Sequence, residues 1–139
     1  MTTSTSSMPP SDPAATAACR ILIVDDESLI RMDLRLLLEE AGYTNIEEAA
    51  NVEDALSLAR QWRPDVAILD INLAGDTEGF MLAEALRQML PIRIVFVTGY
   101  GTDETRHAAA AFAPVAFLNK PFDSVQVLAA VARGCRGSR

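Results

Sequence analysis

Short apolar runs alternate along this chain with segments whose apolar residues recur every three to four positions. "ILIV" (21–24) is a continuous apolar run, as expected of a strand buried on both faces. "SLIRMDLRLLLEEAG" follows and places Ile30, Leu34, Leu37, Leu38 and Ala41 on one helical face. Gly42 closes that helix, since glycine readily takes the left-handed conformation of a C-terminal cap. "TNIEEAA" (44–50) is half polar, which suits an edge strand. Asn51 with Asp54 three residues on starts a second helix in capping-box fashion. Its inner face is Val52, Ala55, Leu56 and Ala59, and Pro64 ends it. "DVAIL" (65–69) is the next buried strand. After the loop "NLAGDTEG", a third helix runs through Leu82, Ala85, Leu86 and Met89 to Pro91. "IRIVFV" (92–97) is a strand, "GTDETRHAAAAFA" holds a short fourth helix, and "VAFL" (115–118) is the last strand. "DSVQVLAAVAR" makes the last helix, with Val127, Leu128 and Val131 inward.

Strand and helix thus alternate five times. That pattern predicts an α/β fold: a doubly wound parallel sheet with helices on both faces. Right-handed crossovers and five strands fit the flavodoxin-like (βα)5 arrangement, strand order 2-1-3-4-5, with the weak second strand at an edge. A closed barrel needs eight such units.

Composition narrows the remaining possibilities. The chain has 139 residues, half of them apolar, and a net charge of −7. One domain with a substantial core is expected, and an acidic surface disfavours nucleic-acid binding. No run of apolar residues is long enough to span a membrane, and the amino terminus has no signal-peptide pattern. Residues 1–18, rich in Ser, Thr, Pro and Ala, read as a disordered leader. Residues 19–134 read as the domain, and 135–139 as a short tail. Cys19 and Cys135 lack metal-ligand spacing; both are expected at the bottom of the sheet as reduced thiols, not as a disulfide. His107 on its polar helix reads as a solvated side chain, Trp62 as core or cover, and the Arg133, Arg136 and Arg139 tail as partners of a helix carboxyl end.

In open α/β sheets the ligand lies beyond the carboxyl ends of the strands. There the sequence places Asp25, Asp26 and Glu27 after strand one, Asp70 after strand three, Thr98 and Gly99 after strand four, and Asn119 and Lys120 after strand five. Lys120 is the single lysine among 12 basic residues. A compact ammonium on a flexible stem differs from a planar guanidinium in what it can approach. Carboxylates this close repel by roughly 4 kcal/mol per pair at about 4 Å, so they must take up a proton or hold a cation. Hard oxygen donors without His or Cys suit Mg²⁺ over zinc. A carboxylate between a divalent ion and an ammonium is placed to accept a phosphoryl group.

These residues together resemble the receiver domain of two-component response regulators, similar to the single-domain chemotaxis type. Asp25 and Asp26 match the family's acid pair, Asp70 its phosphoacceptor, Thr98 its switch hydroxyl, and Phe117 its switch aromatic. Lys120 in "KPF" matches its lysine. The resemblance implies Mg²⁺ held by Asp25, Asp26, Asp70 and the Asn72 carbonyl, and often a cis Lys120–Pro121 bond. It further implies a phosphoryl group on Asp70, delivered by a sensor histidine kinase or a phosphotransfer protein, with Lys120 and Thr98 binding its oxygens. Phe117 would then move inward and reshape the face of the fourth helix, fifth strand and fifth helix toward a protein target. The implied protein is a cytoplasmic signalling molecule, not an enzyme with turnover, and a monomer or weak dimer. "VFVTGYG" around Thr98 resembles the FATGUY subgroup linked to bacterial stress signalling, with Val97 for Ala. Ala74 stands where the family often has proline. Gly79 falls nine residues after Asp70 where the family has its glycine at eight, so a longer loop of different shape is expected there.

Alternatives are a phosphorylation-independent interaction module and a phosphate shuttle or sink. A haloacid dehalogenase-type hydrolase would need Asp where Asn72 stands. A flavodoxin would need a hydroxyl-rich phosphate loop in place of the acidic "DDES".

Overall fold

The computed structural model describes residues 13–75, 78–99 and 101–137. Its strands are β1 (Arg20–Val24), β2 (Asn45–Ala49), β3 (Val66–Asp70), β4 (Arg93–Thr98) and β5 (Ala116–Asn119). The helices are α1 (Pro13–Ala18), α2 (Ser28–Glu40), α3 (Val52–Trp62), α4 (Glu78–Met89), α5 (Asp103–Ala110) and α6 (Ser124–Gly137), with a 3-10 turn over Leu73–Gly75. The strands pair in the order β2-β1-β3-β4-β5, every pairing parallel. The expected doubly wound flavodoxin-like sheet is therefore present, with β2 at an edge.

Side chains alternate across a strand, so each strand feeds two cores. Ile21, Ile23, Val66, Ile68, Val95 and Val97 face one side, where Leu34 and Leu38 of α2 and Val127, Ala130 and Val131 of α6 cover them. Leu22, Val24, Ala67, Leu69, Ile94 and Phe96 face the other, under Ala55 and Ala59 of α3, Leu82, Ala83 and Leu86 of α4, and Ala109 of α5. Burial on both faces explains why β1, β3 and β4 read as unbroken apolar runs. Phe96 sits fully buried against the stacked pair Phe80 and Phe112, its ring 5.4 Å and 5.8 Å from theirs, edge to face.

The helix ends follow local chemistry. The Asn51 side chain accepts the Asp54 N–H at 2.8 Å, as the capping pattern predicts. Gly42 follows α2 with φ 102°, a conformation that costs glycine little. Ala41, assigned to the inner face of α2, is exposed because the helix ends at Glu40.

Three expectations need correction. The described part of the leader is not disordered: Pro13–Ala18 is a helix. Its alanine-rich sequence favours that state, it lies against α6, and Asn45 Nδ2 donates to the Ala17 carbonyl at 2.5 Å. Residues 1–12 lie outside the described residues. The tail is shorter than expected, since α6 continues to Gly137; residues 138 and 139, including Arg139, lie outside the description. The cysteines are not reduced thiols: Cys19 and Cys135 form a disulfide, with Cα atoms 5.8 Å apart. Their separation of 116 residues disguises proximity. Cys19 immediately precedes β1 and Cys135 lies in the last turn of α6, at the same amino-terminal edge of the sheet, and the topology closes the gap.

Candidate functional site

Parallel strands deliver their final residues to one edge, and there the predicted residues meet. Asp25 and Asp70 are buried side by side at the ends of β1 and β3, and Asp26 is exposed beside them. Carboxylate oxygens of all three lie within 4.8 Å of one another. The loops hold two of them in place. Asp25 Oδ1 accepts the Glu27 N–H at 2.9 Å, and Asp70 Oδ1 accepts the Asn72 N–H at 3.0 Å.

Lys120 leaves β5 with its N–H donated to the Thr98 carbonyl at 2.8 Å, and the following bond to Pro121 is cis. Its Nζ reaches Asp25 Oδ2 at 3.0 Å, Glu27 Oε1 at 3.2 Å and Asp70 Oδ2 at 3.6 Å. The ammonium is therefore central to the acidic cluster. Glu27 occupies the N-cap position of α2 but makes no capping bond with its side chain, which turns to Lys120 instead.

Burial raises the Asp70 pKa, and the Asp25 and Asp26 charges raise it further, against the Asn72 N–H and the Lys120 charge. Burial acts to lower the Lys120 pKa, but the hydrogen bond it donates to Asp25 and the charges of Asp70 and Asp25 win, so it stands above the ordinary lysine value. One ammonium thus does not fully offset three carboxylates. The surplus negative charge and the all-oxygen donor set fit a hard divalent cation; Asp25, Asp26 and Asp70 could hold one.

Thr98, fully buried at the end of β4, donates its hydroxyl to Asn72 Oδ1 at 2.6 Å. Phe117 is half-buried in β5, and the Arg106 guanidinium of α5 lies 4.5 Å from its ring centroid. In the loop after Asp70, Ala74 adopts φ 56°, which proline's ring could not. The absence of proline there thus fits a turn of different shape; Asp76 and Thr77 lie outside the described residues. Gly79 packs so closely that a Cβ would overlap the Asp70 carbonyl and Ile71, and its N–H donates to the Ile71 carbonyl at 2.9 Å. His107 is exposed, and Trp62 is partly buried against the core.

Sequence reasoning missed three contributors. Glu27 was visible in the acidic run, but its pairing with Lys120 was not. Asn72 was credited with a backbone carbonyl, while its side chain holds the Thr98 hydroxyl. Arg31 carried no signal: it donates to the Asp25 carbonyl at 2.7 Å and to Glu48 at 3.1 Å, tying the acid pair to the edge strand.

A five-stranded parallel sheet with buried carboxylates, a hydroxyl and an ammonium on its carboxyl edge defines a CheY-like α/β signalling domain. The chain belongs to the response regulator receiver domain family, whose model matches residues 21–132. It is 42% identical over 113 residues to the sensory transduction protein LytT of Bacillus cereus, covering 78% of this chain and 44% of that protein. It is 32% identical over 123 residues to the transcriptional regulatory protein PdtaR of Mycobacterium tuberculosis, covering 88% of this chain and 60% of that one. The chain thus spans about half the length of these relatives. A CheY-like receiver domain protein from Methanospirillum hungatei superposes with a TM-score of 0.78 at 29% identity, covering 86% of this chain and 95% of that one. The domain is accordingly a two-component response regulator receiver. No described helix is long and apolar enough to cross a membrane.

Proposed function

We propose that this protein accepts a phosphoryl group on Asp70 and signals through protein contacts. The observation that carries the reading is the Lys120 ammonium, 3.0 Å from Asp25 and 3.6 Å from Asp70 at the strand edge. The donor is a phosphohistidine of a sensor kinase or phosphotransfer protein, met in the cytoplasm. An Asp70 oxygen attacks phosphorus, the nitrogen–phosphorus bond breaks, and the imidazole leaves with the electron pair. Asp25, Asp26, Asp70 and the Asn72 carbonyl would hold Mg²⁺, which when bound supplies positive charge against the phosphoryl oxygens. Lys120 contributes the second positive charge and orients one oxygen.

Thr98 then exchanges its bond to Asn72 Oδ1 for one to a phosphoryl oxygen. Phe117 follows inward, leaving its stack with Arg106, and the face of α5, β5 and α6 changes shape. Moving such an equilibrium from 1:99 to 99:1 takes about 5.5 kcal/mol, and a phosphoryl group adding roughly −1.5 to −2 charge opposite two cationic centres is of the right order. Water attack on the acyl phosphate resets the site, so the protein has no turnover chemistry beyond its own phosphate. "VFVTGYG" supports placement in the FATGUY stress-signalling group.

The test is labelling with acetyl phosphate and Mg²⁺, by intact mass. Wild type gains one phosphoryl group and Asp70→Asn gains none. A wild type that stays unlabelled, yet still binds partners, would mark a phosphorylation-independent interaction module. Transfer from a kinase followed by back-transfer to a phosphotransfer protein would mark a shuttle or sink.

A further inference from the structure

We infer that Cys19 and Cys135 form a reversible redox site, a second covalent input at the end of the sheet opposite Asp70. Three features lead there. First, the two sulfurs come from opposite ends of the domain yet meet where β1 begins and α6 ends. Second, they differ in access: Cys19 is 3% exposed, whereas Cys135 is half-buried on the last turn of α6. A partly exposed thiol that can be attacked and a sheltered partner beside it make a dithiol that opens and recloses by exchange. Third, the bond anchors an element tied to the phosphoacceptor edge. α6 starts at Ser124, four residues after Lys120, and forms part of the face assigned above to output. Its far end is set by the Cys135 bond and by Gly134, whose missing Cβ would lie 3.0 Å from Val66 Cγ2.

The oxidant class is a low-molecular-mass disulfide such as glutathione disulfide. The Cys135 thiolate, its proton released to solvent, attacks one sulfur; the small disulfide's bond breaks, and one thiolate leaves with the electron pair. The Cys19 thiolate then attacks the Cys135 sulfur of the mixed disulfide and expels the second small thiolate. Two protein thiols are oxidised and one small disulfide is reduced to two thiols. Excess reduced thiol drives the same steps backward. In the oxidised state α1, the start of β1 and the last turn of α6 are one cross-linked unit. In the reduced state the end of α6 keeps its packing and the Arg133 guanidinium's hydrogen bond to the Val115 carbonyl but loses the covalent tie, and both α1 and the end of α6 open more often.

The experiment uses the full chain in mixtures of reduced and oxidised glutathione, with thiols trapped by alkylation and weighed. The expected result is a reversible crossing between dithiol and disulfide as the mixture is varied. Amide exchange in 13–18 and 124–137 should be about 10-fold or more slower in the oxidised form, with the central strands little changed. The Cys19→Ser variant should end as a glutathione adduct on Cys135, while Cys135→Ser should leave Cys19 largely unmodified. The idea is overturned if the thiols stay free in glutathione disulfide alone. It is equally overturned if the bond persists in excess reduced glutathione, or if exchange is the same in both states. None of these readouts involves phosphate or Asp70, so they stand or fall apart from the reading of that residue.

Discussion

Asp70→Asn should make the metal-free fold more stable. Asp70 lies within 4.8 Å of the buried Asp25 and 3.6 Å from the Lys120 ammonium. At an effective dielectric of about 20 these amount to at least roughly 3.5 kcal/mol of repulsion and about 4.6 kcal/mol of attraction. With Asp25 alone the two nearly cancel; the exposed Asp26 adds further repulsion, and the desolvation of a 5% exposed carboxylate, several kcal/mol per ion, acts in the same direction. The raised pKa agrees: the site disfavours the charge. Asparagine keeps the shape and an oxygen acceptor for the Asn72 N–H, so a gain of about 1–2 kcal/mol is expected, about 3–10 °C in Tm.

The assay is thermal melting by circular dichroism at pH 7 in EDTA and again in millimolar Mg²⁺. Because the folded-state pKa of Asp70 lies above its unfolded value, the folded protein binds more protons than the unfolded chain in the interval between them. Stability attributable to this group therefore falls as pH rises through that interval. The advantage of the variant should be largest above the raised pKa and vanish as pH falls below the unfolded value near 4. Magnesium should narrow or reverse the difference, since a ligand at 100 times its Kd adds about 2.7 kcal/mol to the protein that binds it. A variant that melts below wild type in EDTA, or gains as much from Mg²⁺ as wild type does, would refute the reasoning.

Gly79→Ala should cost about 1–3 kcal/mol, because its Cβ would press on the Asp70 carbonyl; denaturant unfolding gives the loss, and calorimetry should show weaker Mg²⁺ binding. Lys120→Arg should leave Asp70 able to take phosphate from acetyl phosphate yet impair the switch, since a planar fork replaces a point charge bonded to Asp25 and Glu27. Mass spectrometry reads the first and hydrogen exchange over α5, β5 and α6 the second. Glu48, beside Arg31 and Arg35, feels burial raising its pKa, but the two guanidinium groups prevail and lower it. Its contribution is present above the ordinary glutamate pKa and lost as pH falls through the lowered one. The stability gap between wild type and Glu48→Gln should therefore close in acid, from about 1 kcal/mol at pH 7.

Most of the fold was legible because its strands are short, apolar and buried on both faces. The edge strand announced itself by being half polar: Glu47 is exposed and Glu48 partly so. The site was legible because parallel strands send their carboxyl ends to one edge, so Asp25, Asp70, Thr98 and Lys120 needed only strand ends to be found. What the sequence hid depends on distances between elements. The Thr98 hydroxyl on the Asn72 side chain, Arg31 on the Asp25 carbonyl and the Cys19–Cys135 bond all join residues whose spacing follows no helical or strand period. Pro13–Ala18 was hidden for another reason: six residues have too little intrinsic helicity to stand alone, and docking on the domain settles their state.

The join between Cys19 and Cys135 also has an architectural consequence. The start of β1 and the last turn of α6 meet there, on the pole opposite the acidic edge, so the sheet and its five flanking helices have the geometry of a pendant on a clasp. A designer can splice residues 19–135 into a surface turn of a host protein with little distortion of the host, and the acidic edge will face outward, away from the seam.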